Sequence, residues 1–128
     1  MKQVLSIEQM KHLQRLGLDT SDASMCVEWK ATYEDDMVVN SLDADTNYDC
    51  YYPIYTLQDI LDKLPTLIII SSDFYKICIE LSCGYWDIYY YKSDATELIS
   101  KKSENIIDVA YDMLCWCIEK GYVGKEGE

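Results

Sequence analysis

Residues Tyr75 to Lys92 read YKICIELSCGYWDIYYYK, and the alternation within this stretch decides the fold. Tyr75, Ile77, Ile79 and Leu81 fall on one face of an extended strand, with Lys76, Cys78, Glu80 and Ser82 on the other. Further along, Trp86, Ile88 and Tyr90 share a face. If Cys83-Gly84 is a two-residue turn, Leu81 opposes Trp86, Ile79 opposes Ile88 and Ile77 opposes Tyr90, so the apolar side chains gather on one side. A slip of one residue would scatter them over both faces. Gly84 supplies the positive φ that such a turn needs, with Cys83 an unusual companion. The stretch is therefore expected to form a β-hairpin.

Upstream of it, TLIII at 66–70 is apolar at consecutive positions and reads as a strand buried on both faces. Before that, Thr56 caps a short helix, LQDILDKL, with Leu57, Ile60, Leu61 and Leu64 on one side and Pro65 ending it. The segment SLDADTNYDCYYP at 41–53 is loop-like. In MCVEWKATY, Met25, Val27, Trp29, Ala31 and Tyr33 alternate with Cys26, Glu28, Lys30 and Thr32, as in a half-buried strand. A charged turn, Glu34-Asp35-Asp36, then leads into MVV as the returning strand of a second hairpin. The first helix opens at Ser6 with Gln9 at the reciprocal position of a capping box, carries Ile7, Met10, Leu13 and Leu16 on a broad apolar side, and closes at Gly17-Leu18.

Downstream, YKSDATELISKKSEN is polar and mixed in charge, and reads as a connection with a turn of helix inside. The C-terminal helix begins near Ser103 or Asn105 and runs to Lys120. Ile106, Ile107, Ala110, Met113, Leu114, Cys117 and Ile118 form its apolar stripe, with Asp108, Asp112, Cys115 and Glu119 opposite. Gly121 ends it, Tyr122-Val123 fold back, and a flexible tail follows from about 124. This order predicts a single α+β domain over 1–128. Its antiparallel sheet has about four or five strands, with the long C-terminal helix and one or two shorter helices packed mainly on one face.

Composition narrows the function classes. At 128 residues and 49% apolar content, the chain can bury a core. The formal net charge of −12 disfavours direct binding to nucleic-acid phosphates and to anionic membranes, and leaves room for a basic protein partner or for mimicry of nucleic acid. No apolar run reaches membrane-spanning length, and MKQVLSIEQMK lacks a signal core, so a cytoplasmic protein is expected. The six cysteines then read as reduced thiols. There is no CxxC pair, and His12 is the only histidine, so no metal or cofactor is expected. Asp43, Asp45, Asn47 and Asp49 follow the alternating oxygens of a calcium loop. The match fails at Tyr48, where glycine should turn the chain, and at Ile54, where the bidentate glutamate belongs. A solvated acidic loop is the expectation there.

Neither a nucleophile elbow, a Gly-rich phosphate loop nor a dinucleotide fingerprint occurs in the sequence. A Cys–His couple would have to use His12, and nothing in the sequence brings a particular thiol to it. Glu80 and Asp87 are opposed in the hairpin register but on the face away from the apolar stripe, where carboxylates stay solvated. No catalytic residue is therefore assigned. What remains is a row of tyrosines, Tyr85, Tyr89 and Tyr91, on that outer face, with Cys78 opposite Tyr89. Such a row makes a low-entropy contact surface for a protein partner or a second copy of the chain, and its rings could also stack on the bases of a sequestered nucleotide. The ordinary alternative is that another element covers it as core. An acidic patch of Glu34, Asp35, Asp36, Asp43, Asp45 and Asp49 is the candidate surface for nucleic-acid mimicry.

Two pieces, YTLQDILDKLP at 55–65 and NIIDVAYDMLCWCIEKGY at 105–122, resemble a group of small uncharacterised proteins carried by phages and mobile elements of anaerobic gut bacteria. In those, a helix like the first piece precedes a β-region, and one like the second closes the chain. The likeness covers about the last 75 residues, and its motifs are core-packing positions, so no activity or site residue carries over. It implies a cytoplasmic context and an accessory or host-directed role.

Overall fold

A computed structural model describes residues 3–29, 37–39 and 50–123. The elements run α1 (Ile7–Arg15), β1 (Met25–Trp29), β2 (Met37–Val39), β3 (Cys50–Ile54), α2 (Leu57–Lys63), β4 (Leu67–Ile70), β5 (Asp73–Ser82), β6 (Tyr85–Tyr91), β7 (Glu97–Ser103) and α3 (Ile106–Glu119). The class is α+β: two antiparallel sheets, ordered β2-β1-β3 and β4-β5-β6-β7, with three helices among the described residues. The β5–β6 hairpin has the expected register, with Ile77 opposite Tyr90, Ile79 opposite Ile88 and Leu81 opposite Trp86. At its turn Cys83 and Gly84 have φ of 54° and 81°. Both central residues are left-handed, as a hairpin turn matched to strand twist requires.

β1 and β2 pair antiparallel from Cys26–Val39 to Glu28–Met37, as a second hairpin requires, while the expected continuation of the strand to Tyr33 and the turn Glu34-Asp35-Asp36 lie outside the described residues. Three expectations are corrected. Residues 50–54 continue the sheet as β3, pairing with β1 from Met25–Ile54 to Trp29–Cys50, where the sequence reads as loop as far as Pro53. β3 is an edge strand in the order β2-β1-β3, and an edge tolerates a proline that lacks its N–H. The polar connection after Lys92 is in large part β7, paired along β6. A register shift between Tyr90 and Tyr91 puts both Leu98 and Ile99 against the core. That bulge erases the alternation by which a strand is recognised. Finally, β4 is not buried on both faces: Ile68 is buried, whereas Leu67 and Ile69 are 41% and 58% exposed. It lies at the edge of its sheet, and helices cover one face only.

The core is one cluster joining residues of the three helices and both sheets, including Met10, Leu13, Ile54, Ile60, Ile88, Ile107, Met113, Leu114 and Ile118. α3 lies against β6, β7 and α2. Asn105 caps it by accepting from the Ile107 N–H at 3.1 Å, and Gly121 (φ 82°) lets Tyr122 N–H reach the Cys117 carbonyl at 2.8 Å. These are the two ends of a properly satisfied helix. Cys115 is another correction: expected opposite the stripe, it is buried. α1 crosses that side of α3, placing Gln9 Nε2 3.3 Å from Asp108 Oδ1 and His12 Nδ1 2.6 Å from Tyr111 Oη. α3 is therefore enclosed on more of its circumference than an amphipathic stripe implies.

Two buried tyrosines make polar ties across the core. Tyr55 Oη donates to Asp22 Oδ1 at 2.8 Å, and Asp22 pairs in turn with Lys63 at the end of α2. Tyr90 Oη donates to the Pro65 carbonyl at 2.7 Å. Asp59 binds both its own helix cap and the start of β1: it accepts from Thr56 N–H at 2.9 Å, from Ser24 N–H at 3.1 Å and from the Ser24 hydroxyl. Partial burial works against its charge, yet the hydrogen bonds from Ser24 and Thr56 outweigh it and hold its carboxyl below the ordinary value of 3.8. A depressed folded pKa means that the stabilisation is present above 3.8 and is lost as pH falls through the folded value. Replacing Asp59 with Ala removes the reciprocal cap and leaves Ser24 N–H without this partner, so we expect a loss of about 1–3 kcal/mol at neutral pH. Urea unfolding at pH 7 and pH 3 checks it. The gap between wild type and Asp59→Ala should narrow at the lower pH, and an unchanged midpoint at pH 7 would contradict the tie.

Candidate functional site

The outer face of the β4–β7 sheet carries the side chains that alternate away from α3. Its cross-strand rows follow from the register: Ile69 opposite Phe74; Leu67, Lys76 and Tyr91; Cys78, Tyr89 and Ser100; Glu80, Asp87 and Lys102; Ser82 and Tyr85. The structure thus brings Tyr85, Tyr89 and Tyr91 onto one face with Cys78 opposite Tyr89, as the sequence predicts. Tyr89 and Tyr91 stack at a tilt, with ring centroids 5.6 Å apart. Tyr85 stands apart at the hairpin tip and is 50% exposed.

Sequence reading misses the apolar end of this face. Leu67, Ile69 and Phe74 extend the tyrosine row onto β4, and Phe74 is 55% exposed. The misreading of TLIII as doubly buried hides Leu67 and Ile69. Phe74 precedes the stretch whose alternation is conspicuous, although continuing that alternation by one step would place it outward.

The two opposed carboxylates have separate hydrogen-bond donors. Glu80 accepts from the Tyr89 hydroxyl, with the Cys78 thiol 3.6 Å away, and Asp87 accepts from Ser100 Oγ at 2.7 Å. Hydrogen bonding with Cys78 and then with Glu80 pushes the Tyr89 phenol up, so it stays a neutral donor. Each carboxylate is held by a neighbour as a fixed acceptor, which makes this end of the face acidic and ordered. A cavity of about 360 Å³ lies here between Glu80, Ser82, Cys83, Tyr85, Asp87 and Lys102. At the other end a cavity of about 280 Å³ is lined by Phe74, Lys76, Tyr91 and Lys92 with Ser72, Asp73 and Ser93.

A second cluster lies between α1 and α3. Cys115 Sγ is 3.6 Å from His12 Nδ1, beside a cavity of about 220 Å³ that Lys101, Tyr111, Asp112 and Glu119 also line. The sequence contains both partners but not the α1–α3 crossing that joins them. The surroundings disfavour a thiolate at Cys115. Burial, and beyond it the charges of Asp112 and Glu119, push the Cys115 thiol up to about 11. Asp112 is itself raised, by burial first. Among the described residues no group of three or more His, Cys, Asp or Glu side chains is placed to hold a metal ion.

Of the acidic patch, Glu34, Asp35, Asp36, Asp43, Asp45 and Asp49 all lie outside the described residues, as does the candidate calcium loop apart from Ile54. No helix among the described residues is long and apolar enough to cross a membrane. Comparison of the chain with protein-family profiles, with curated proteins and with solved structures finds no match.

Thiol reactivity separates the two clusters experimentally. Exposed Cys83 should alkylate first with iodoacetamide at pH 8, whereas Cys115 and Cys117, both pushed up to about 11 mainly by burial, should react last. Peptide mapping of the time course measures this. Labelling of Cys115 ahead of Cys83 would show an activated thiol and revive the Cys–His couple as a nucleophile.

Proposed function

We propose that this chain is a protein-binding module without catalytic activity of its own, which meets a basic partner through the outer face of the β4–β7 sheet. The observation that carries the reading is the distribution of exposed large apolar side chains. Among the described residues the exposed large apolar side chains belong to β4, β5 and β6 alone, and four of them, Leu67, Ile69, Phe74 and Tyr85, lie on this outer face at 41–58% exposure, whereas Ile79 and Leu81 lie on the inner one. A concentrated apolar and aromatic patch marks interaction surfaces, while singly scattered exposed residues need no explanation. Tyr89, Tyr91 and Phe74 are stiff rings that lose little entropy on contact. Glu80, Asp87 and the net charge of −12 favour a basic partner over a second copy. The resemblance to phage and mobile-element proteins supports an accessory, host-directed role.

Tyr91→Ala, Tyr89→Ala and Phe74→Ala should each weaken capture of the bound partner about tenfold, as truncation of an aromatic anchor does. Exposed Glu104→Ala, just past the end of β7, should leave capture unchanged. Quantified pull-downs at two salt concentrations, with size-exclusion light scattering of the chain alone, test this. Binding that survives all three aromatic substitutions, or a chain that simply dimerises through these residues, sinks the reading.

The cavity of Phe74, Lys76, Tyr91 and Lys92 favours one further reading, a site for a small anionic ligand with an aromatic ring, such as a nucleotide. Two rings offer stacking surfaces and two lysines offer charge, although Lys92 is shared with Asp73 at 3.7 Å and Asp94 at 3.9 Å. A nucleotide at a hundred times its Kd would add about 2.7 kcal/mol of stability. A thermal-shift screen with purine and pyrimidine nucleotides that moves the wild type, and not Lys76→Ala, supports it. No shift at millimolar nucleotide removes it.

A further inference from the structure

β5 is longer than the strand beside it. β4 pairs with Asp73–Lys76 only, and the last contact on that side is Ile77 N–H donating to the Thr66 carbonyl at 3.3 Å. Beyond it the chain leaves the sheet through Pro65 into α2, so nothing in sequence continues the β4 line. In an antiparallel ladder the backbone groups of alternate residues point to opposite sides. Since Ile77 points to the β4 side, so do Ile79 and Leu81. Their N–H and C=O groups have no partner there among the described residues.

The open stretch also lacks the devices that ordinarily protect an edge. Cys78–Ser82 contains no lysine and no proline, and its register with β6 runs without a bulge from Lys76 to Ser82. The opposite edge has two of these devices: β7 carries Lys101 and Lys102 and faces the register shift at Tyr90/Tyr91, and Lys101 points inward to the Asp112 side of α3. On the open stretch Ile79 and Leu81 present apolar side chains on the inner face, 38% and 59% exposed, beside half-buried Trp86. The outer face of the same stretch presents Glu80.

We propose that the Ile77–Ser82 edge of β5 accepts an added β-strand from a basic partner, a short extended segment alternating apolar and basic residues. Backbone hydrogen bonds to Ile79 and Leu81 supply affinity, and alternate side chains supply choice. Apolar residues of the incoming strand lie opposite Ile79 and Leu81 on the inner face, and basic ones come beside Glu80 on the outer face. A second copy of this chain would bring its own Glu80 and a charge of −12 to the same place, which the local field opposes. The proposal rests on the protein-binding reading above but uses the edge of the sheet, not its tyrosine face.

The test uses the full chain and an alternating lysine–valine heptapeptide, followed by amide hydrogen exchange and NMR. The amides of Ile79 and Leu81 should become protected when the peptide is added, and the effect should weaken with salt. An alternating glutamate–valine peptide should protect neither. Methylating the valine nitrogens, which face Ile79 and Leu81, should abolish binding, whereas methylating the lysine nitrogens should spare it. Leu81→Lys, at an exposed position where the fold tolerates charge, should weaken binding about tenfold. Phe74→Ala, on the outer face but away from Glu80, should leave peptide binding intact, so failure at the edge and failure of the outer face are told apart. The proposal falls if millimolar peptide leaves both amides unprotected or if the valine-methylated peptide binds equally well. It falls too if the chain protects the same amides by pairing with itself.

Discussion

Everything on the second sheet depends on the pairing of β5 with β6, and that pairing depends on two residues at the tip. Cys83 and Gly84 both take positive φ, which sets a two-residue turn and so the partner of every residue down the ladder. A Cβ added at Gly84 would meet nothing within 4 Å, so the backbone angle and not space calls for glycine there. With the register set, Ile88 and Tyr90 reach the core and α3 has a floor to lie on. The same choice sends Tyr85, Tyr89 and Tyr91 to the other side. The core and the outer tyrosine row are two outcomes of one turn.

α3 then distributes that order to the rest of the chain. It touches β6, β7 and α2, and through Asp108, Tyr111 and Cys115 it meets α1. The polar groups taken inside by this arrangement have partners: Tyr55 with Asp22, Tyr90 with the Pro65 carbonyl, His12 with Tyr111. Buried hydroxyls satisfied in this way cost little and restrict how the elements can slide. Enclosure also sets the environment of a histidine and a thiol that lie 3.6 Å apart. The crossing that brings them together buries the thiol beside two carboxylates, and both effects favour the protonated form.

The parts of this architecture that were legible in the sequence are those governed by local periodicity. Ser6, Thr56, Gly17 and Gly121 mark helix ends because capping is a matter of a few neighbouring residues. The tyrosine row was visible because a strand period of two places Tyr89 and Tyr91 together whatever else happens. Where tertiary context decides, the signal fails. The bulge opposite Leu98 and Ile99 disguises β7, and β3 accepts Pro53 only because it is an edge. The string TLIII is as apolar as a central strand, yet β4 ends the sheet and leaves Leu67 and Ile69 in solvent. Of the contact surface, then, the tyrosines could be read in advance and the β4 residues could not, since no local pattern states which strand is last.

The unequal margins of this sheet have a consequence for how large any assembly built on it can grow. A sheet open on both sides is a template at each, and addition can repeat without limit, as in fibrils. Here one margin carries lysines and a bulge, and the other is the short strand β4 with an open notch on β5 beyond it. Addition at such a place fills a notch and brings the incoming strand level with β4, leaving an outer edge only a few residues long. In a protein with an apolar flank, short open edges and a net charge of −12 both work against repeated addition of its own copies.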